Sequence, residues 1–324
     1  MDMKSQLFSR REALTRAALL AGVALAVETP GASPAQPAAA ARNDKGSFIF
    51  SLNTATIRGQ KLGIVKEVEI ASKAGYQAIE PWTESLDSYK KQGGSLPDLK
   101  KRIADSGLVV PSAIGFPQWI VDDDAQRAKG LERAKYEMDL VAQIGGTRLA
   151  APPSGATDVP GLDLVKAAER YRALLDAGDQ IGIVAQLELW GFSKNLHRLG
   201  ECACVAIESG HPKACVLLDV YHLYKGETDI NGIGLLNGNA VHVLHLNDYP
   251  ADPPREKIND SFRVYPGDGV APIVEILRTL HAIGGEKALS LELFNRKYYG
   301  MDPLEVARGG LEKMKAVVDK AMAG

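Results

Sequence analysis

Four apolar, strand-like runs in the second half of the chain each end in a residue able to hold a divalent metal ion. They are QLELW with Glu188, VLLDVYH with Asp219, VHVLHLND with His245 and LSLELFN with Glu292. Runs this apolar read as buried strands, and buried strands seldom carry a carboxylate without a partner, because the charge loses its water. By subtraction the spacings are about 31, 26 and 47 residues, the first two close to one strand-helix-strand unit. Parallel strands repeating at that interval set their C-terminal ends side by side. Four ligands from distant parts of the chain then meet at one mouth.

The rest of the chain fits the same repeat. From Ser47 onward eight strand-helix alternations are legible, with strands expected at Phe48–Asn53, Tyr76–Trp82, Leu108–Ile114, Thr147–Ala151, Ile183–Trp190, Ala214–Tyr221, Ala240–Asn247 and Ala288–Phe294. Apolar residues recur at three and four over Ile64–Ala74, Leu131–Ile144, Val165–Leu175, Ile273–Ile283 and Val306–Val318, the helical period. Glycines such as Gly75 and Gly182 stand just before strands, where a left-handed residue ends a helix. The first strand ends in Asn53-Thr54-Ala55-Thr56, without the G-x-G-x-x-G turn of a doubly wound sheet. Residues 46–324 are therefore expected to form one α/β domain, a closed (β/α)8 TIM barrel whose site lies at the strand-to-helix loops.

Residues 1–45 read as a twin-arginine signal peptide and a Pro/Ala linker. Ser9-Arg10-Arg11-Glu12-Ala13-Leu14 precedes the apolar stretch Ala17–Val27, and small residues near Ala38–Ala41 offer a cleavage site. The apolar stretch is too short to span a bilayer, so no stable membrane association is expected after its removal. The expected location is periplasmic or exported. Cys202, Cys204 and Cys215 form an odd set with no paired framework and read as buried structural thiols. A formal charge of −2 and a pI near 6.3 give no electrostatic case for a nucleic acid partner.

Glu188, Asp219, His245 and Glu292 together offer three carboxylates and one imidazole. An oxygen-rich set with a single nitrogen suits one divalent ion: Mn2+, Mg2+, Co2+ or Zn2+. His222, three residues after Asp219, either donates to a substrate oxygen, supports a ligand or lies on the surface. Arg263, just before the Pro266-Gly267-Asp268-Gly269 turn, either reaches over the metal to an oxyanion or stays solvated. Trp82, Trp119 and Trp190 could pack on a sugar's C–H face at the mouth or fill loop core. Glu80 could be a further ligand or a partner for substrate hydroxyls.

The ordered Glu, D-x-x-H, His and Glu strand ends, with R-x-x-P-G-D-G before the last, resemble the xylose isomerase-like barrel superfamily. Within it the likeness is to the sugar phosphate isomerase/epimerase group and covers Ser47 to about Ala321. The resemblance implies that Glu188, Asp219, His245 and Glu292 bind the metal and that Glu188 and Glu292 are the acid/base pair. It implies that His222 and Arg263 contact substrate oxygens. Val243 stands where ketose epimerases carry the first histidine of H-x-H-x-x-E, which weakens transfer of their specificity. The implied reaction is proton transfer next to a carbonyl through an enediolate, on a free sugar, keto-sugar or cyclitol. The implied partner is a small-molecule sugar, and pairing into a homo-oligomer is compatible with the group. Alternatives are a dehydratase of the inosose dehydratase type and an exported sugar-binding barrel without turnover. An apurinic endonuclease-like phosphodiesterase would want more strand-end histidines and a basic groove.

Overall fold

The computed structural model describes residues 46–323. The signal and linker expected over 1–45 lie outside the described residues. Seven parallel strands form one sheet: β1 (Ser47–Asn53), β2 (Ala78–Glu80), β3 (Arg148–Ala151), β4 (Val184–Glu188), β5 (Val216–Asp219), β6 (Val241–Leu246) and β7 (Glu286–Leu291). Their order is β2-β1-β7-β6-β5-β4-β3. The expected strand Leu108–Ile114 forms no regular ladder, yet it closes the ring. It bridges Ala78 and Trp82 on one side, through Val109 and Ile114, and Leu149 on the other, through Ala113. Pro111 sits within it and has no N–H to donate, which limits the segment to isolated bridges. The fold is a TIM barrel with seven laddered strands and one irregular one.

Helices cover the outside, and acidic side chains start the long ones. Asp123 accepts from Gln126 N at 2.7 Å to open the helix Asp124–Gln143. Asp163 accepts from Val165 N at 2.9 Å to open Leu164–Ile181, which stops at Gly182 with φ 86°. The helix expected from Leu131 therefore begins about two turns earlier, at its cap. The expected strand Ala214–Tyr221 is cut short at Asp219, whose side chain accepts from His222 N at 2.8 Å and opens the short helix Val220–Lys225. Cys202 and Cys215 are buried free thiols as expected, while Cys204 is half-buried.

Side chains alternate across the strands. Leu52, Ile79, Leu149, Leu187, Leu218, Leu244 and Leu289 face outward into the main core under the helices. Ile114, Ala150, Leu217, Val243 and Ala288 form a small apolar layer inside the barrel. Two residues further along three of these strands stand Asp219, His245 and Ser290. The interior thus changes from apolar to polar within one step of the pleat.

Glu67 is among the buried carboxyls that lie away from that polar layer. On the helix Ile64–Ala74, it is 4% exposed and its Oε2 has no hydrogen-bond partner among the described residues. Burial raises it from the ordinary 4.5 to about 7, with Arg58 opposing. Between those values the folded chain keeps a proton that the unfolded chain has lost. The stability this group contributes is complete below about 4.5 and is lost as the pH rises through about 7. Glu67→Gln removes the penalty. It is expected to gain about 2–3 kcal/mol over the unsubstituted chain between pH 5 and pH 8, read from urea unfolding at both values. An equal difference at both pH values would refute it.

Candidate active site

Strand register builds the site. Asn53 pairs with Glu80 across β1 and β2, Asp219 with His245 across β5 and β6, and His245 with Ser290 across β6 and β7. These residues sit at one level inside the ring, at the C-terminal ends of the strands. His245 is fully buried at the centre. Its Nδ1 lies 3.4 Å from Glu188 Oε1, 3.6 Å from Asp219 Oδ2 and 3.2 Å from Glu292 Oε2. Its Nε2 lies 3.2 Å from Glu80 Oε2. Neither ring nitrogen makes a well-directed hydrogen bond among the described residues, and Glu188 Oε2 is also without a partner.

The four strand-end residues singled out in the sequence thus converge. Asp219, His245 and Glu292 each offer one ligand atom within 4.8 Å of the others. Glu188 stands slightly apart from that trio but still faces the same nitrogen. Four carboxylates, counting Glu80, surround His245 and Arg263, so even with both cationic the cluster carries excess negative charge. Taking that charge out of water is costly. A divalent cation would offset it, and a set of carboxylate oxygens with one imidazole nitrogen fits such an ion.

Electrostatics of the cluster follow from the same crowding. Burial pushes Glu188 up to about 7, with Glu292 and Asp219 adding to the rise. Burial alone would raise Asp219, but the Arg263 guanidinium, with His245 beside it, holds it far below the usual carboxylate range. Burial alone would depress His245, and Glu292 and Glu80 override it and hold the ring well above the usual histidine range. Glu188 and His245 thus hold protons more tightly than free side chains do, and a cation bound among them would displace those protons.

Arg263 enters from the loop after β6. Asp248 accepts from Gly267 N at 2.9 Å, Gly269 N at 3.0 Å and Ala271 N at 2.9 Å, pinning the Pro-Gly-Asp-Gly turn. Arg263 is 1% exposed, and its Nη1 donates to Asp219 Oδ2 and Glu292 Oε2, both at 2.8 Å. Its Nη2 donates to Asp260 Oδ1 at 2.5 Å and lies 3.2 Å from His222 Nε2. It is therefore neither solvated nor free: it braces two carboxylates at the edge of the cavity. His222 is buried beside it, and burial depresses its pKa despite Asp219, favouring the neutral ring. Asn247 donates from Nδ2 to Asp219 Oδ2 at 3.2 Å, a positioning contact.

A cavity of about 570 Å3 opens over this floor, lined by Glu188, Glu292, His222 and Arg263 and walled by Trp82, Phe116, Trp190 and Phe192. Two sequence expectations are corrected here. Trp119 does not reach the mouth. Its ring packs on Tyr171 at 5.9 Å between centroids and its Nε1 donates to Pro152 O at 2.9 Å, the acceptor a buried indole needs. Glu80 is fully buried beneath His245, accepting from Asn53 Nδ2 at 2.9 Å and Ser290 Oγ at 2.6 Å, so it faces the imidazole and not the cavity. A carboxylate on the far nitrogen of a ligating histidine orients the ring. Sequence reasoning missed Arg58, Asp260, Phe294, Arg296 and Tyr299, which also line the cavity. Only Phe294 carried a signal, since it stands two residues after Glu292 and so shares its side of the chain.

Fold and site together define a parallel β/α barrel with a carboxylate–histidine cluster at the C-terminal mouth. Residues 68–317 match the model of the xylose isomerase-like TIM barrel family. The chain belongs to that family. Among curated relatives, the inosose isomerase of Bacillus velezensis is 25% identical over 260 residues, covering 79% of this chain and 92% of that protein. The 3-dehydroshikimate dehydratase of Pseudomonas putida is 22% identical over 265 residues, covering 82% of this chain but only 41% of that longer protein. Among solved structures, the IOLI protein with a bound zinc atom superposes with a TM-score of 0.77 at 21% identity, covering 84% of this chain and 99% of that one. A D-psicose 3-epimerase superposes at 0.65 with 18% identity, covering 83% and 99%. At these identities the structural likenesses speak for the fold.

Proposed function

We propose that this protein is a divalent-metal-dependent sugar isomerase or epimerase acting on a free sugar, keto-sugar or cyclitol. The observation that carries the reading is the grouping of Glu188, Asp219 and Glu292 around one nitrogen of His245, at the floor of a cavity that Glu188 and Glu292 both line. A cation held by Asp219, His245, Glu292 and Glu188 would stabilise negative charge developing on adjacent substrate oxygens. Glu188, unpartnered at Oε2, takes the proton from the carbon next to the carbonyl as general base. Glu292 returns a proton from the other side. His222, as the neutral ring, and Arg263 meet the substrate oxygens at the cavity edge. Similarity to an inosose isomerase supports this class, and similarity to a zinc-containing structure supports a cation of the Zn2+, Mn2+, Mg2+ or Co2+ type.

A dehydratase is the second reading, favoured by the similarity to 3-dehydroshikimate dehydratases. It shares the first proton transfer and differs in losing a hydroxyl afterwards. The order of Arg10-Arg11, the apolar Ala17–Val27 and the small residues Ala38–Ala41 supports twin-arginine export to the periplasm. Export in turn favours an unphosphorylated substrate.

The deciding experiment is a panel of keto-sugars and inososes in heavy water with the metal-loaded protein, followed by proton NMR. One hydrogen next to the carbonyl is expected to exchange, and a chelator is expected to stop it. Retention of every hydrogen by all substrates, in protein shown to hold its cation, would reject both readings.

A further inference from the structure

Aromatic rings form a continuous crescent along one wall of the cavity. Trp82 meets Phe116 at 5.1 Å between centroids, Phe116 meets Trp190 at 5.8 Å, Trp190 stacks on Phe192 at 5.2 Å and 29°, and Phe192 reaches His222 at 5.7 Å. Phe116 is 41% exposed and Phe192 46% exposed. Large apolar rings left open to water side by side at a cavity rim mark a binding surface.

The crescent offers apolar surface and few donors. The indole N–H of Trp82 is already given to Asn53 Oδ1 at 3.0 Å, and its ring carries the Arg58 guanidinium at 4.3 Å. Phe116 and Phe192 have no polar atom in their side chains. Hydroxyls of a single sugar ring turned toward this wall would lose water without replacement partners. The carboxylates at the floor, by contrast, suit a hydroxylated ketone. A cavity of about 570 Å3 falls in the size range that encloses drug-sized ligands rather than one small ring.

We infer that the site takes a two-ring substrate: a polyhydroxylated ring at the carboxylate floor, joined to a second ring whose flat apolar face stacks on Phe116, Trp190 and Phe192. A planar aryl group and the C–H face of a second sugar share that chemistry. The inference rests on the sugar reading of the floor and names the class of molecule it accepts, a glycoside or aryl conjugate.

The test uses metal-loaded full-length protein and titrates methyl, phenyl and glucosyl glycosides of glucose, galactose and mannose by calorimetry and tryptophan fluorescence. Trp82 and Trp190 would report stacking, while Trp119, buried elsewhere, gives a constant background. In at least one series the phenyl or glucosyl member is expected to bind tenfold or more tighter than the methyl member. The stronger arm tells whether the second ring is an aryl group or a sugar. Phe116→Ala/Phe192→Ala, which removes two exposed rings, is expected to reduce that preference below threefold, with circular dichroism unchanged. Affinities within threefold across every series, no saturable binding, or a preference that survives the double substitution would overturn the proposal. These glycosides carry no carbonyl at the ring on the floor, so exchange is read separately on the keto-sugars and inososes; a preference for the conjugate in protein that exchanges none of those ketones would uphold this subsite and count against the isomerase reading.

Discussion

Glu188→Gln is expected to cut exchange of the substrate's carbon-bound hydrogen with solvent by at least about a thousandfold, the upper range for loss of a general base. Glutamine keeps the shape of the side chain but cannot accept the proton. Glu292→Gln is expected to do the same, yet the two variants should differ in stability. Glu188 has an unpartnered Oε2, and burial raises its pKa to about 7, so neutralising it relieves a desolvated charge. Glu292 receives Arg263 Nη1 at 2.8 Å and Asn53 Nδ2 at 3.2 Å, so neutralising it weakens a buried ion pair. Calorimetric melting of the metal-free variants should therefore place Glu188→Gln at or above the unsubstituted protein and Glu292→Gln below it. Exchange at the native rate in both variants would end the acid/base assignment.

Asp219→Ala is expected to lose the cation and destabilise the barrel together. The carboxylate has four employments: it faces His245 in the ligand trio, receives Arg263 Nη1 at 2.8 Å, accepts from Asn247 Nδ2 at 3.2 Å and caps the helix Val220–Lys225 through His222 N at 2.8 Å. Loss of an N-cap costs about 1 kcal/mol. Removing one partner of a buried ion pair costs about 3–5 kcal/mol, reduced here because Glu292 and Asp260 still face Arg263. Asp219→Asn keeps the acceptor for the helix cap while removing the charge. Both variants are expected to hold less than about a tenth of the native metal content. Asp219→Asn should keep roughly 1 kcal/mol of stability that Asp219→Ala loses. Full metal occupancy in Asp219→Ala, by elemental analysis, would remove this residue from the ligand set.

The convergence of Glu188, Asp219, His245 and Glu292 was legible because two simple periods combine. Alternation puts polar residues on a strand's inner face, and the strand-helix repeat aligns the strand ends. Glu80 obeyed the same alternation, yet its role was not legible. What separates it from the others is lateral register, since pairing with Asn53 sets it under His245 and away from the cavity. Arg263 was legible as a loop residue before a fixed turn. Its burial between Asp219 and Glu292 depends on Asp248 gathering three amide donors from a later stretch of chain. Trp119 shows the opposite failure. An indole after the third strand suits the mouth by position, but the Pro152 carbonyl and the Tyr171 ring, 33 and about 52 residues away, hold it in the core.

Local order was written in the chain: which runs are strands and which face of each is polar. Those properties depend on neighbours a few residues apart, which the sequence displays directly. Only the closed ring decided which nitrogen of His245 faces which carboxylates, that Arg263 is buried, and that four aromatic rings from three loops form one wall. Such contacts depend on the register and curvature with which distant segments meet, and no spacing along the chain encodes a distance across the barrel.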